Sequence, residues 1–265
     1  MKLRYYLYII LLFLTACSHI DEDERLIYVE PAQQIATDTT TVRYVLLEDF
    51  TGQMCVNCPS GTEVIEQLQQ SYGDRLIAVG IHSGPLGFKG NATTTGLATP
   101  LGDEYYSHWQ LEYQPVGLVD RHGAVNYTDW VTKVREEMTK TSTVKIELEA
   151  TLSNGQVNIS VQETSLNKAF NGKLQVWVLE DSITATQKMP DGSVNRQYVH
   201  NHVLRSAVNG NWGEDVVISA NETKTHNYQQ PVDAAWNTTR LSIVAFVYDS
   251  KGVEQAAKKD LLIEN

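Results

Sequence analysis

The stretch VRYVLLEDFTGQMCVNCP, residues 42–59, decides the reading of the fold. Its first half, Val42 to Phe50, is β-rich and apolar on both faces, the pattern of a central strand covered by helices on both sides. The chain then brings two cysteines three positions apart, Cys55 and Cys58, followed by Pro59. Beyond them Val64, Ile65, Leu68 and Tyr72 recur at helical spacing, with Glu63 and Glu66 in the opening turns and Gly73 as a stop. The order strand, CxxC, helix is what carries chemistry. Unpaired N–H groups and the dipole at a helix start favour a thiolate, lowering a cysteine pKa from about 8.5 into the range of roughly 3.5 to 7.5. On this reading Cys55 attacks a substrate disulfide and Cys58 resolves the mixed disulfide. A structural zinc site would need four ligands, and no second CxxC or Cys/His pair stands at finger-like spacing, so no metal is expected. An inert structural disulfide between Cys55 and Cys58 stays open as the competing reading, because an extracytoplasmic pair can remain oxidised without turning over.

The same segment resembles the active-site strand, loop and helix of the thioredoxin fold. The resemblance gives Asp49, six residues before Cys55, the position of the buried acid that assists proton transfer from the resolving thiol. An aspartate inside an apolar strand is expensive to bury charged, so its pKa should rise toward acid–base use; the alternative is a strand-end residue reaching solvent. Arg75 to His82 (RLIAVGIH) reads as a second buried strand. Tyr113 to Arg121 (YQPVGLVDR) resembles the loop that carries a cis-proline opposite the CxxC, which implies that Pro115 shapes a substrate groove open to other proteins. Asp129 to Lys140 (DWVTKVREEMTK) closes the unit as an amphipathic helix, with Asp129 as cap and Trp130, Val134 and Met138 on one stripe. Met54 stands where thioredoxins carry a tryptophan, and the dipeptide between the cysteines is Val56-Asn57. Both bear on potential, which spans roughly −270 to −120 mV in such proteins. Ser83 to Glu112 is an insertion, read as a packed crossover with a short helix or, alternatively, as a lid or partner surface beside the sulfurs.

From Thr143 the period changes from helical to alternating. Val144, Ile146, Leu148 and Ala150 face one way, Lys145, Glu147 and Glu149 the other, and Ser153-Asn154-Gly155 turns the chain into Val157, Ile159 and Val161. Further runs at 173–179, 216–220, 241–248 and 258–263, punctuated by Asn171-Gly172, Pro190-Asp191-Gly192 and Asn209-Gly210, predict a sandwich of about seven strands. Tyr198 to Arg205 (YVHNHVLR) is its one chemically pointed stretch. On a strand His200 and His202 would share a face, yet no third ligand is recognisable nearby, so structural histidines are expected rather than a metal site.

The chain has 265 residues, 42% apolar and 20% charged, which allows one large domain or, as expected here, two modest ones, and fits neither wholesale disorder nor a polytopic membrane protein. With 32 acidic against 21 basic residues the formal charge is −11, which sets nucleic acid aside as a partner. Residues 1–16 (MKLRYYLYIILLFLTA) carry Lys2 and Arg4 before an apolar run of the length of a secretory h-region, too short to span a bilayer. They end Leu14-Thr15-Ala16-Cys17, which resembles the lipobox of bacterial lipoproteins and implies lipidation of Cys17 and cleavage just before it. Attraction to anionic headgroups cannot hold so acidic a chain, so the lipid must. Residues 17–41 are a polar tether whose Asp21-Glu22-Asp23-Glu24 cluster resembles a surface-export signal, or is a solvated linker.

Taken together, the lipobox, CVNCP, QPVGLVDR and VHNHVLR resemble the outer-membrane-protein-28-related lipoproteins of Bacteroidetes. That resemblance implies an α/β thioredoxin-like domain over 42–141, an all-β immunoglobulin-like sandwich over 142–265, and an outer-membrane anchor with the body on the periplasmic face or at the cell surface. It implies no settled activity. The expected partners are the membrane, through lipid on Cys17, and protein thiols or disulfides; no cofactor is expected. A non-catalytic surface binding protein, with Cys55–Cys58 as a structural bridge, is the alternative.

Overall fold

The chain enters the computed structural model, which describes residues 39–263, through β1 (Thr41–Val42) and β2 (Val45–Thr51), every residue of β2 being buried. Alternation sends Val45 and Leu47 to one face and Leu46 and Phe50 to the other. The first face packs against α1 (Cys58–Tyr72), which starts at Asn57 with Pro59 in its first turn and ends at Gly73, whose φ is +56°. Strand β3 (Leu76–His82) returns parallel to β2, pairing Asp49 with Gly80 and Thr51 with His82. The insertion after it is a crossover containing α2 (Pro100–His108), capped by Thr99 and covering the second face with Tyr105 and Tyr106. β4 (Val116–Val119) and β5 (Ala124–Asn126) follow as an antiparallel pair beside β2, and α3 (Trp130–Met138) joins α1 on the first face. Asp129 stands at the N-cap position of α3 but makes no side-chain cap bond there; Asn126 caps the preceding turn instead.

After β6 (Thr141–Ser142), which pairs with β1, the chain is almost entirely strand. It forms β7 (Val144–Ser153), β8 (Gln156–Ser165), β9 (Phe170–Glu180), β10 (Ile183–Lys188), β11 (Val194–His200) and β12 (Val203–Ala207). It ends with β13 (Glu214–Ile218), β14 (Thr223–Pro231), β15 (Leu241–Asp249), β16 (Gly252–Asp260) and β17 (Leu262–Ile263). A sandwich is present: the sheet β14-β8-β7-β17 lays Val144, Leu148, Val157, Ile159 and Val161 against Leu174, Val176, Val178, Ile243 and Val247 of a second sheet.

That second sheet corrects the expectation of a self-contained module after residue 141. Its order is β16-β15-β9-β12-β3-β2-β4-β5, with β13 also on β9, so strands from both expected segments share one nine-stranded sheet. The junction is the parallel pairing of β12 with β3 at Val203 and Gly80. Residues 39–263 accordingly belong to one compact unit. Two buried ion pairs tie the halves further. Arg43 binds Asp120 at 2.9 Å and the backbone carbonyls of Val253 and Glu254. Arg121 meets Glu48 at 3.0 Å while its guanidinium lies over the rings of Tyr248 and Phe246, at 4.4 and 4.7 Å.

Candidate functional site

The two cysteines stand where β2 gives way to α1. Gly52 is required at the exit from the strand, because a Cβ there would meet the Leu86 carbonyl oxygen at 2.2 Å, the same oxygen that accepts the Met54 N–H. Cys58 opens α1, whereas Cys55 lies three residues before it, in the turn. The two form a disulfide. The Gln114–Pro115 peptide bond is cis. Pro115 packs on α1 at Gly61, where a Cβ would lie 3.3 Å from its ring, and the Gln114 side chain fixes the loop by donating to the Thr51 and Ser83 carbonyls and accepting from Leu86 N–H. Cys55, Cys58, Asp49 and Pro115 are thus brought to one end of β2 and α1.

Asp49 and Glu48 show what neighbouring positions in a strand do to two similar carboxyls. Glu48 points to the face where Arg121 waits. Asp49 points to the other, is 3% exposed, and its Oδ1 has no hydrogen-bond partner. Burial pushes its pKa up to about 8, so the alternative of a solvated strand-end residue is not what the structure shows. Asp49 and Cys58 border a cavity of about 160 Å³ whose other walls include Thr62, Gln69, His82, Tyr198, His200 and His202. A larger hollow, about 550 Å³, lies on the outer face of the four-stranded sheet; its polar lining, Glu149, Thr151, Asn158, Ser160, Asn227 and Gln229, is at least partly solvated and includes neither cysteine.

The groove expected to be open is closed. Cys55 retains 1% of its surface and Cys58 2%, while Met54 and Val56 on either side of Cys55 face outward at 37% and 40%. The cause is the hairpin β10–β11, a separate two-stranded sheet laid against the cysteine loop. Gln187 Nε2 donates to the carbonyls of Cys55 (2.8 Å) and Gly52 (3.3 Å), and Lys188 N–H donates to Gln53 O. In return the fully buried Gln53 side chain donates to Thr186 O and Thr95 O and accepts from Leu97 N–H. Gln53, Gln114 and Gln187 are the functional residues that motif reading passes over. Glutamine has no spacing signature, and the only local signal is that Gln53 and Gln114 lie inside the stretches 42–59 and 113–121 already quoted.

The histidine pair is likewise placed differently from expectation. His200 ends β11, 6% exposed and facing the cavity, whereas His202 lies in the following turn with φ +57° and is bound to Asp181 through its backbone N–H. They do not share a strand face, because the strand stops between them. Among the described residues no group of three or more His, Cys, Asp or Glu is arranged to hold a metal ion. No helix among them is long and apolar enough to cross a membrane. Cys17, the signal-like segment 1–16 and most of the 17–41 tether lie outside the described residues.

A search of curated proteins found no match. Among solved structures, the chain is similar to HBP35 of Porphyromonas gingivalis at 17% identity and a TM-score of 0.66, covering 83% of this chain and 75% of that one. The cysteine end and the sandwich therefore recur together as one fold. It is also similar, at 26% identity over 47% of this chain and 92% of that one, to a domain of the outer membrane lipoprotein Omp28 from Porphyromonas gingivalis, with a TM-score of 0.36. The model of the family Omp28, outer membrane protein Omp28, matches residues 102–263. By that match, which takes in the proline loop, the hairpin and the whole sandwich, the chain belongs to the Omp28 family of outer membrane proteins.

Proposed function

We propose that the protein is a lipid-anchored outer-membrane protein carrying a thioredoxin-like thiol–disulfide exchange site that is shut in its oxidised resting form. The carrying observation is Asp49. A bridge that served only to staple the chain has no use for an unpaired carboxyl buried beside the resolving sulfur, and perturbed, partnerless acids collect where proton transfer is needed. On this reading a substrate thiolate attacks Cys55 Sγ and the Cys55–Cys58 bond breaks. Its electron pair passes to Cys58 Sγ, which takes a proton from Asp49. In the return step Cys58 gives that proton back and displaces the substrate thiolate from Cys55. Pro115 shapes the side of the groove opposite the sulfurs, and the β10–β11 hairpin must lift before a substrate arrives.

The 1% exposure of Cys55 favours a second reading, an inert bridge in a surface binding scaffold with the immunoglobulin-like half presenting the binding loops. The reduction potential of the pair separates the two: a value below about −300 mV marks a structural bridge, and a higher one an exchangeable couple. In the reduced protein, a Cys55 that alkylates with an ordinary pKa near 8.5 counts against exchange. For the scaffold reading, Cys55→Ala with Cys58→Ala should keep binding and lose at most a few kcal/mol.

A further inference from the structure

The cavity behind Cys58 is lined by groups from six parts of the chain, Gln187 of β10 among them. Asp49 comes from β2 and His82 from β3, diagonal to it across the register. Tyr198 and His200 come from β11, Thr62, Glu66 and Gln69 from α1, and His202 from the turn before β12. The two inner imidazoles touch edge to face, with ring centroids 5.1 Å apart at 71°. Both are buried, and each leaves one ring nitrogen, His82 Nδ1 and His200 Nε2, without a hydrogen-bond partner, like Asp49 Oδ1. Three partnerless polar atoms bordering one hollow are costly unless something occupies it, and buried polar hollows are occupied by water. About 160 Å³ has room for a few molecules at roughly 30 Å³ each. At the rim His202 meets Asp181 at 3.1 Å and Gln69 at 3.4 Å, with Glu66 exposed beside them.

We propose that His82 and His200, with water held in this cavity, form the path by which protons pass between solvent and Asp49 in the service of the Cys58 thiol. This rests on the exchange reading and adds to it: the hairpin that shuts the site also supplies one of its working groups. A neutral imidazole carries one donor and one acceptor nitrogen, so it can take a proton on one side and release one on the other. Burial, then His200 and Arg205, hold His82 well below its ordinary value, and burial holds His200 at about 4 against backbone contacts at Thr186 and Ala185 that work the other way. Near neutral pH both rings are therefore uncharged while Asp49 keeps its proton. Of the other charged groups nearby, Arg205 is paired with Glu180 and Asp181 with His202 and Lys258, while Glu66 stands exposed at the rim. When Cys58 leaves as thiolate, Asp49 gives it a proton and becomes a buried carboxylate; one proton entering at the His202 rim and passing through water, His200 and His82 restores it. No redox partner is needed beyond the substrate dithiol or disulfide.

The test uses the full chain. A mixed disulfide is formed with a small thiol, and its resolution by Cys58 is timed in H2O and D2O across pH for wild type, His82→Asn, His200→Ala and the double variant. Resolution should slow by about a hundredfold in each single variant, the low side of what positioned proton transfer contributes, with a larger solvent isotope effect. The double variant should be no slower than the slower single one, since the groups act in series. Added imidazole should restore His200→Ala. Variants that resolve at the wild-type rate would overturn the relay and leave exchange standing. Slowing that is equal at all pH, with no isotope change and no rescue, would make the rings structural and also overturn it. A wild type that never turns over would overturn exchange itself and the relay with it. Because the histidines sit on different elements, misfolding of one variant leaves the other to decide.

Discussion

Removing the amide that holds the hairpin to the cysteine loop should open the site. In Gln187→Ala the carbonyls of Cys55 and Gly52 lose a donor that reaches them at 2.8 and 3.3 Å, while Gln187 itself is only 2% exposed, so water does not replace it as long as the hairpin stays docked. A buried acceptor left unsatisfied costs about 1–3 kcal/mol. The penalty applies to the closed form alone, since lifting the hairpin hydrates both carbonyls. At about 1.4 kcal/mol per factor of ten, the open fraction should rise roughly 5- to 150-fold. If opening is fast, reduction of the native disulfide by excess small dithiol rises by the same factor. The assay is native-state reduction, quenched by alkylation and counted by mass, with the same reaction in denaturant as the reference in which both proteins must agree. Equal native rates for variant and wild type would refute the hairpin as gate. A wild type reduced as fast natively as in denaturant would show that the sulfurs are not sheltered at all.

Other outcomes follow from buried charge and from the proposed anchor. Asp49 keeps its proton to about pH 8 in the folded chain but releases it near 3.8 when unfolded, so the folded state holds the extra proton between these values and stability falls as pH rises through them. His200, lowered to about 4, acts oppositely but only below its ordinary 6.5, so the decline from about 6.5 to about 8 belongs to Asp49 and to Glu163, which burial likewise raises to about 8. Asp49→Asn should remove about half of that decline in denaturant titrations at stepped pH; an unchanged slope would contradict it. Glu48→Ala strands Arg121 among Tyr248, Phe246 and Trp177 and should cost about 3–5 kcal/mol, while Glu48→Met with Arg121→Met should cost much less, as read from urea midpoints. Cys17→Ser should move the protein from the membrane to the soluble fraction on cell fractionation, and retention in the membrane would remove the lipid from the account.

What the sequence made legible is what local pattern determines. The strand 45–51, the helix from Cys58 and the strand 76–82 follow from runs of apolar residues and a helix stop within a few positions of one another. The pairing of Val203 with Gly80 does not, because parallel contacts across more than a hundred residues leave no periodic mark on either strand. That is why the sandwich was expected to stand alone. The hairpin's grip on the cysteine loop was hidden for a related reason. Gln187 reaches the Cys55 carbonyl over a sequence separation of 132, and its target is a backbone oxygen that every residue possesses. The turn at Pro190-Asp191-Gly192 was visible, but nothing local says where its flanking strands will lie.

The hairpin also explains why an exchange site in this chain would depart from an open thioredoxin-like groove without losing the chemistry beneath it. The sulfurs, the buried acid and the proline loop are all placed by β2, α1 and β4, elements that hold one another through the apolar core formed by Val45, Leu47, Ile65, Leu68 and Trp130. Closure is placed by a smaller set of contacts, a handful of amide hydrogen bonds and the small apolar cluster of Ile183 and Ala185 with Leu97 and Val203, from a two-stranded excursion that joins no larger sheet. Each such bond contributes about 0.5–1.5 kcal/mol net, far less than the packed core. Opening the hairpin therefore costs much less than disturbing the groups it covers, and local openings of this kind lie at the low end of a protein's stability spectrum.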